Sequence, residues 1–354
     1  MTEKWLAVKD RSAWRPEDLD IDRSWQFEVT QDHAEELDRA LKGVKMRGLA
    51  FGEIRKEDFP LPSFAKILKD LLSEIRDGRG IATLSGVPID YSYEDLEKLY
   101  WGLCSHLGIG ITQNVEVGLI HYITDGDLAP KNGAGILGKP SPVSLHADLT
   151  DCVGLFCTHQ APDDPKSLVA SSMTVYNEIL SNHPEYLPQL EKGYFWSRRD
   201  KHPSESSHSE FRVPAWSIKG KTVTCRFNAG WIKKGMTEAG VELNNEEVKI
   251  FDFIEKTAAA NSHAFSLEPG TIAFWNNYTT FHGRDGFAEI EEEAKKRVLL
   301  RIWLDLPNVR SFWDEARIRY GAIRHGQLGW TAKEVLEGKN RDPHLRRADG
   351  VPSI

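Results

Sequence analysis

The chain runs to 354 residues, with 45 Lys and Arg against 53 Asp and Glu for a net charge of −8. That balance argues against nucleic-acid binding, which needs a basic face, and no stretch of eighteen or more apolar residues is present to cross a membrane. A hydrophobic share of 40% and a charged share of 28% are ordinary for a globular fold. The start, Met1-Thr2-Glu3-Lys4-Trp5, lacks an apolar signal core. Cys104, Cys152, Cys157 and Cys225 show no Cys-x-x-Cys spacing. The expectation is a cytoplasmic protein with buried thiols. A zinc site at Cys152 and Cys157 is disfavoured, because residues five apart on a strand leave opposite faces.

Residues 1–30 are polar, punctuated by Trp and without periodicity, and are expected to pack as an irregular arm. Helical spacing of apolar residues marks 32–44 and 63–76, the latter through Phe64, Ile67, Leu68, Leu71, Leu72 and Ile75. Residues 80–86 read as a strand bounded by glycines, followed by a helix from Tyr93 to His106 capped by Ser92. The stretch 111–142 is rich in Gly, Asp and Asn, has a strand-like core at 118–124, and is expected to cover a site as a partly ordered loop. One continuous strand is predicted from Val143 to Phe156, then short helices at 173–180 and 183–190. Strands at 194–199, 211–218 and 222–228 follow, the last two forming a hairpin across Lys219-Gly220. A helix at 244–260, strands at 263–267 and 271–275, and a long strand at 297–306 complete the core. A further helix is predicted at 313–320 in the tail. The chain is expected to form one domain: an arm and helices over 1–78, a catalytic core over 79–306, and an extension over 307–354.

The chemistry centres on Ser144-Leu145-His146-Ala147-Asp148. On a strand, side chains two apart share a face, so His146 and Asp148 can offer adjacent positions to one metal ion. His282, in Trp275-Asn276-Asn277-Tyr278-Thr279-Thr280-Phe281-His282-Gly283-Arg284, is the best-placed second histidine. Two His and one carboxylate suit non-haem Fe(II) and leave coordination positions open. Downstream, Arg297, Leu299, Arg301, Trp303 and Asp305 share one strand face, while Val298, Leu300, Ile302, Leu304 and Leu306 form an apolar face. Two guanidiniums roughly 13 Å apart on such an element suit two separate carboxylates, which Arg grips through paired hydrogen bonds. Taken singly, these features read as a core histidine and a solvated edge strand; their combination outweighs that. His202 and His208 read as solvated, and His106, His121, His159 and His263 as structural, with His121 also able to line the site.

Together, His146-Ala147-Asp148, the Asn-Asn…His-Gly-Arg setting of His282, and the pair Arg297 and Arg301 resemble the TauD/TfdA family of Fe(II)- and 2-oxoglutarate-dependent dioxygenases, in the clavaminate-synthase-like group. Residues 79–88 and 99–108 resemble that family's amino-terminal half, so the likeness covers about 79–306. It implies an α+β, mainly β fold: a distorted double-stranded β-helix (jelly-roll) flanked by helices. It implies Fe(II), 2-oxoglutarate and O₂ as cofactors, with His146, Asp148 and His282 as the catalytic metal ligands. Arg297 would pair with the distal carboxylate of 2-oxoglutarate, and Arg301 with an acidic group of a small substrate such as an amino acid. Asn114 and His121 are further candidates for substrate contact. Two positions depart from the family pattern. Leu168, with Ser167 and Ser171 beside it, stands where relatives place a Thr on the co-substrate carboxylate, making Ser167 and Leu168 the candidate contacts. Tyr278 stands where relatives often hold Arg. Halogenating relatives lack the carboxylate that Asp148 retains, so hydroxylation is the expected outcome, with desaturation or cyclisation open. The alternatives are a non-enzymatic jelly-roll that binds a metal or small ligand, and a metallohydrolase with the same three ligands and no need of Arg297. No nucleic-acid or membrane partner is expected; self-association is open.

Overall fold

The computed structural model describes residues 5–113, 118–127, 138–197, 206–307, 309 and 330–338. The amino-terminal part carries α1 (Pro16–Ile21), β1 (Gln26–Glu28), α2 (Gln31–Met46), α3 (Ala65–Asp77), β2 (Ile81–Ser85) and α4 (Tyr93–Cys104). The middle holds β3 (Ile109–Ile111), β4 (Ile120–Ile123), β5 (Val143–His146), β6 (Cys152–His159), β7 (Ser167–Ser171), α5 (Ser172–Asn182) and α6 (Leu187–Lys192). Then come β8 (Trp216–Lys219), β9 (Thr222–Cys225), α7 (Ala229–Glu238), α8 (Asn245–Ala260), β10 (Ser262–Phe265), β11 (Ile272–Asn276), β12 (Thr280–Arg284), β13 (Val298–Asp305) and α9 (Ala332–Leu336).

A seven-stranded sheet runs β1-β2-β11-β6-β13-β3, with β4 also on β13, and a four-stranded sheet runs β10-β7-β12-β5. Apart from the parallel β1–β2 pair, the pairings in both sheets are antiparallel. One apolar cluster joins Val169 of the small sheet to Ile81, Val153, Trp275, Leu299 and Trp303 of the large one. The two sheets therefore face each other across a shared interior, as in a jelly-roll. The opposite face of the large sheet packs on α2, α3 and α4 through Leu41, Leu71, Leu99, Phe156, Phe274 and Leu300. Outside the small sheet, Ala170 and Phe281 meet α5 and α8 through Tyr176, Phe251 and Ile254.

Local chemistry sets these elements. The Thr30 side chain accepts from His33 N–H at the start of α2, and Ser171 does the same for α5 through Thr174 N–H. Asn244 and Glu247 form a reciprocal capping box on α8. Leu68, Leu71 and Ile75 fall on the buried stripe of α3, as their spacing predicts. Truncating a buried leucine of this kind costs about 2–5 kcal/mol. The alternation predicted for β13 also holds: Leu300, Ile302 and Leu304 lie in the helix-side cluster and Leu299 and Trp303 in the interior. Cys152 and Cys157 fall on opposite faces of β6.

Several expectations need correction. The single strand 143–156 is two, β5 and β6, in different sheets. Residues 147–151 cross between the sheets, and their polar groups go to side chains and distant backbone instead of a ladder. Of the expected strand at 194–199, the described part, 194–197, forms isolated bridges, Tyr194 to Val213 and Ser197 to His208. The amino-terminal arm is not irregular throughout. It supplies α1 and β1, and Trp14 and Trp25 are buried in the interior between the sheets. Helix α7, capped by Asn228, was missed because Gly230 and Gly235 dilute its periodicity. The helix expected at 313–320 and His202 lie outside the described residues. The four free cysteines are all buried.

Candidate active site

The site lies at one edge of the four-stranded sheet, where β5 and β12 pair. His146 and His282 are direct cross-strand partners, so their Cβ atoms start about 5 Å apart, and the rings stand 4.4 Å centroid to centroid. Gly283 permits this approach, since a Cβ there would lie 2.5 Å from the Val143 carbonyl oxygen. Trp275, at the end of β11, stacks on the His282 ring at 5.2 Å and 14°.

Asp148 arrives differently from the expectation. It lies beyond the end of β5, in the crossing segment, and no strand alternation orients it. Its N–H donates to Asn277 Oδ1 at 2.8 Å, and its carbonyl accepts from Arg226 Nη1 at 2.6 Å. The carboxylate oxygens then stand 3.6 Å from His146 Nε2 and 3.7 Å from His282 Nε2. Those separations exceed hydrogen-bond range, but ligand atoms that share a cation at about 2.1 Å each stand roughly 3 to 4 Å apart. Among the described residues this is the one group of three or more His, Cys, Asp or Glu whose ligand atoms converge, all within 4.8 Å.

The surrounding chemistry fits a cation. Burial alone would raise the Asp148 carboxyl, but Arg301 and the two histidines outweigh it and hold the group well below the usual carboxylate range. Asp148 Oδ2 is buried and accepts no hydrogen bond, an expensive state for an anion unless a cation meets it. His146 Nδ1 lies 2.7 Å from the Ser144 carbonyl. With the proton on Nδ1 donated there, Nε2 is left as a lone-pair donor facing Asp148. Burial and the neighbouring His146 push His282 down from the ordinary imidazole value, which keeps it neutral and able to ligate.

Arg301 adjoins this centre. Its Nη1 stands 3.6 Å from Asp148 Oδ2, its Nε donates to Gln113 Oε1 at 2.6 Å, and its guanidinium lies over Trp303 at 5.3 Å. Gln113 Nε2 returns a bond to the Arg301 carbonyl at 2.6 Å, locking the pair. Gln113 was not singled out from the sequence: it lies in a polar stretch, and only the fold brings it to β13. His121 reaches 3.4 Å from Arg301 Nη2, and burial together with that guanidinium pushes it down to about 4. His121 is therefore neutral at ordinary pH. Asn114 lies outside the described residues.

Arg297 precedes β13 and is 5% exposed. Its Nε donates to Gln160 Oε1 at 2.9 Å, and no carboxylate lies within ion-pair distance among the described residues. Burial pushes its guanidinium down to about 10, so it remains charged. Ser167 and Leu168 part company. Val169 lies opposite His282 in the β7–β12 register and is in the interior cluster, so Ser167 shares that inner face by alternation. Leu168 faces outward, lining a cavity of about 400 Å³ beside Glu255 and Ala259 of α8. Arg284 donates to the Lys139 and Ser141 carbonyls, which ties β12 to the segment before β5.

A profile of the taurine catabolism dioxygenase TauD, TfdA family matches residues 45–303. The chain belongs to the TauD/TfdA family. It is a 2-oxoglutarate-dependent non-haem iron dioxygenase, with Fe(II), 2-oxoglutarate and O₂ as cofactors. This family member is 26% identical to FR-33289 synthase of Streptomyces rubellomurinus, over 86% of this chain and 92% of the relative. It is 23% identical to a taurine hydroxylase-like protein of Stachybotrys chartarum, over 83% and 79%. Asparagine oxygenase in complex with Fe(II), 3-hydroxyasparagine and succinate shares the fold at TM-score 0.61 and 16% identity, covering 79% of this chain and 93% of that one. The non-heme iron oxygenase OrfP with Fe and α-ketoglutaric acid gives TM-score 0.58 at 15% identity, with the same coverage. Family membership decides against the metallohydrolase and the non-enzymatic jelly-roll.

Proposed function

We propose that this dioxygenase oxidises an unactivated C–H bond of a small substrate bearing a carboxylate, with an amino acid favoured and hydroxylation as the outcome. The observation that carries the reading is Arg301: a partly buried cation held by Gln113 on one side and standing 3.6 Å from the Asp148 carboxylate on the other. A substrate anion gripped there would have its neighbouring carbons beside the metal. Structures of asparagine oxygenase with a hydroxylated asparagine and of OrfP with L-Arg support an amino-acid substrate. The taurine hydroxylase-like relative supports a second reading, in which a sulfonate or phosphonate takes the carboxylate's place at Arg301.

His146, Asp148 and His282 would hold the iron. When bound, the iron together with 2-oxoglutarate and O₂ supplies the oxidising power for C–H cleavage, releasing succinate and CO₂. The protein's part is placement. Arg297 would take the distal carboxylate of 2-oxoglutarate as a bidentate guanidinium, with Ser167 on the same inner face as a second donor. Trp275 and Trp303 wall the pocket and exclude water from it. Neutral His121 offers a hydrogen bond beside Arg301 without adding charge. The catalytic core over 79–306 would act as one unit with its amino-terminal arm, and the buried free thiols support a reducing, cytoplasmic setting.

The test is anaerobic reconstitution with Fe(II) and 2-oxoglutarate, watching for the metal-to-ligand absorption band. Succinate release in air is then measured with small amino, carboxylic, sulfonic and phosphonic acids. Acceleration by amino or carboxylic acids, lost in Arg301→Met, is the expected result. Acceleration by sulfonates or phosphonates alone favours the second reading. Acceleration that survives Arg301→Met overturns both.

A further inference from the structure

The centre described above adjoins a fully buried cation that is not one of its candidate ligands. Arg226 follows β9 and is 0% exposed, although arginine is seldom buried without a specific set of partners. Its Nη1 donates to two carbonyls at once, Asp148 at 2.6 Å and Thr150 at 3.1 Å. Its Nη2 donates to the Tyr278 hydroxyl at 2.8 Å, and its guanidinium stacks on the Tyr278 ring at 4.3 Å. The Tyr278 hydroxyl in turn donates to Asp151 Oδ1 at 2.6 Å, and Asp151 Oδ2 accepts from Leu306 N–H at 3.0 Å. Every member of this chain is buried.

The network meets a specific need. Segment 147–151 carries a metal ligand but has no strand partner, so nothing in a ladder fixes the backbone of Asp148. Asn277 holds its N–H and Arg226 holds its C=O. Together they set the direction in which the Asp148 side chain leaves the backbone. We propose that Arg226 is a positioning residue for the metal centre: by clamping the Asp148 and Thr150 carbonyls it presets the carboxylate for the cation. This rests on the metal-centre reading of His146, Asp148 and His282. Tyr278, between the same guanidinium and Asp151, orients the clamp without touching the ligand residue.

Titration with Co(II) alone, followed through its visible absorption in anaerobic apoprotein, tests the idea apart from turnover. Removing an outer partner of a metal ligand typically weakens metal binding 10- to 100-fold. Arg226→Met is expected to raise the Co(II) Kd at least about tenfold and to change the band shape. Arg226→Lys, which keeps one donor, should recover part of the loss. Tyr278→Phe removes the Asp151 link and the Arg226 Nη2 bond but leaves both carbonyl bonds, and should shift the Kd less than about threefold. A folded Arg226→Met protein whose Kd stays within about twofold of the parent overturns the proposal. Equal weakening in Arg226→Met and Tyr278→Phe also overturns it, because that pattern marks general loosening of the core. If Arg226→Met does not fold, parental binding by Arg226→Lys overturns it. If the parent binds Co(II) no better than its His282→Ala variant, the metal-centre reading falls and takes the proposal with it.

Discussion

Arg297 lies just before β13 and Arg301 four residues on, in its middle, yet their surroundings differ. Arg301 stands 3.6 Å from the Asp148 carboxylate and shares two hydrogen bonds with Gln113. Arg297 is more deeply buried and its hydrogen bond goes to the neutral Gln160; burial lowers its guanidinium most and Arg284 adds to that, against Cys157 and Asp164, which raise it. A buried charge without a counter-ion is costly. On the proposed reading, an incoming dianion would neutralise the Arg297 pocket, whereas Arg301, which already faces Asp148, would discriminate among weaker anions. On that reading the same residue type, four positions apart, would serve a fixed co-substrate in one case and a selective substrate in the other.

The sharpest way to break this contrast is Arg297→Ala. Losing one partner of a buried charge pair costs about 2–5 kcal/mol or more, so the KM for 2-oxoglutarate should rise on the order of a hundredfold or more, with Arg297→Lys intermediate. A KM within twofold of the parent, measured by succinate release, would remove the co-substrate role. Arg301→Met should act on the other ligand. A hydrogen bond to a charged group contributes about 1.5–3 kcal/mol, so substrate KM should rise roughly 10- to 100-fold while anaerobic 2-oxoglutarate binding is unchanged. Equal damage to both ligands would show that the two arginines are not separate sites.

Ser167→Ala against Leu168→Ala sharpens the Arg297 end. The serine faces the interior and the leucine faces α8. Ser167→Ala should raise the 2-oxoglutarate KM severalfold, in line with about 1 kcal/mol for one hydrogen bond. Leu168→Ala should leave it unchanged and lower only the melting temperature; the reverse pattern would place the outer face at the co-substrate.

The smallest effect concerns His121, held neutral down to about 4 beside Arg301. Between the ordinary imidazole value of 6.5 and about 4, the unfolded chain carries a proton that the folded chain refuses. His121 therefore erodes stability as pH falls through that window, by at most about 1.4 kcal/mol per pH unit for one proton. Replacing it with Gln should flatten that part of a melting-temperature profile. An unchanged slope would show that the ring is not desolvated against Arg301.

The sequence alone determined the elements whose signal is periodic and local: the buried stripe of α3, the amphipathic helix α8, the two faces of β13, and the grouping of His146, Asp148 and His282 as a candidate ligand set by residue type and order. It could not determine how Asp148 is aimed. An alternating pattern continues through 143–156 in sequence, but the chain changes sheets at Ala147, and the side chains of Arg226, Asn277 and Tyr278, with the backbone of Phe227 and Asn277, supply the hydrogen bonds a strand would have given. Gln113 and Arg226 were likewise invisible, because a polar residue far away in sequence acquires a role only when folding brings it within hydrogen-bond distance. The inward turn of Ser167 and outward turn of Leu168 belong with these, since the phase of a five-residue strand is set by its neighbours in the sheet and not by its own residues.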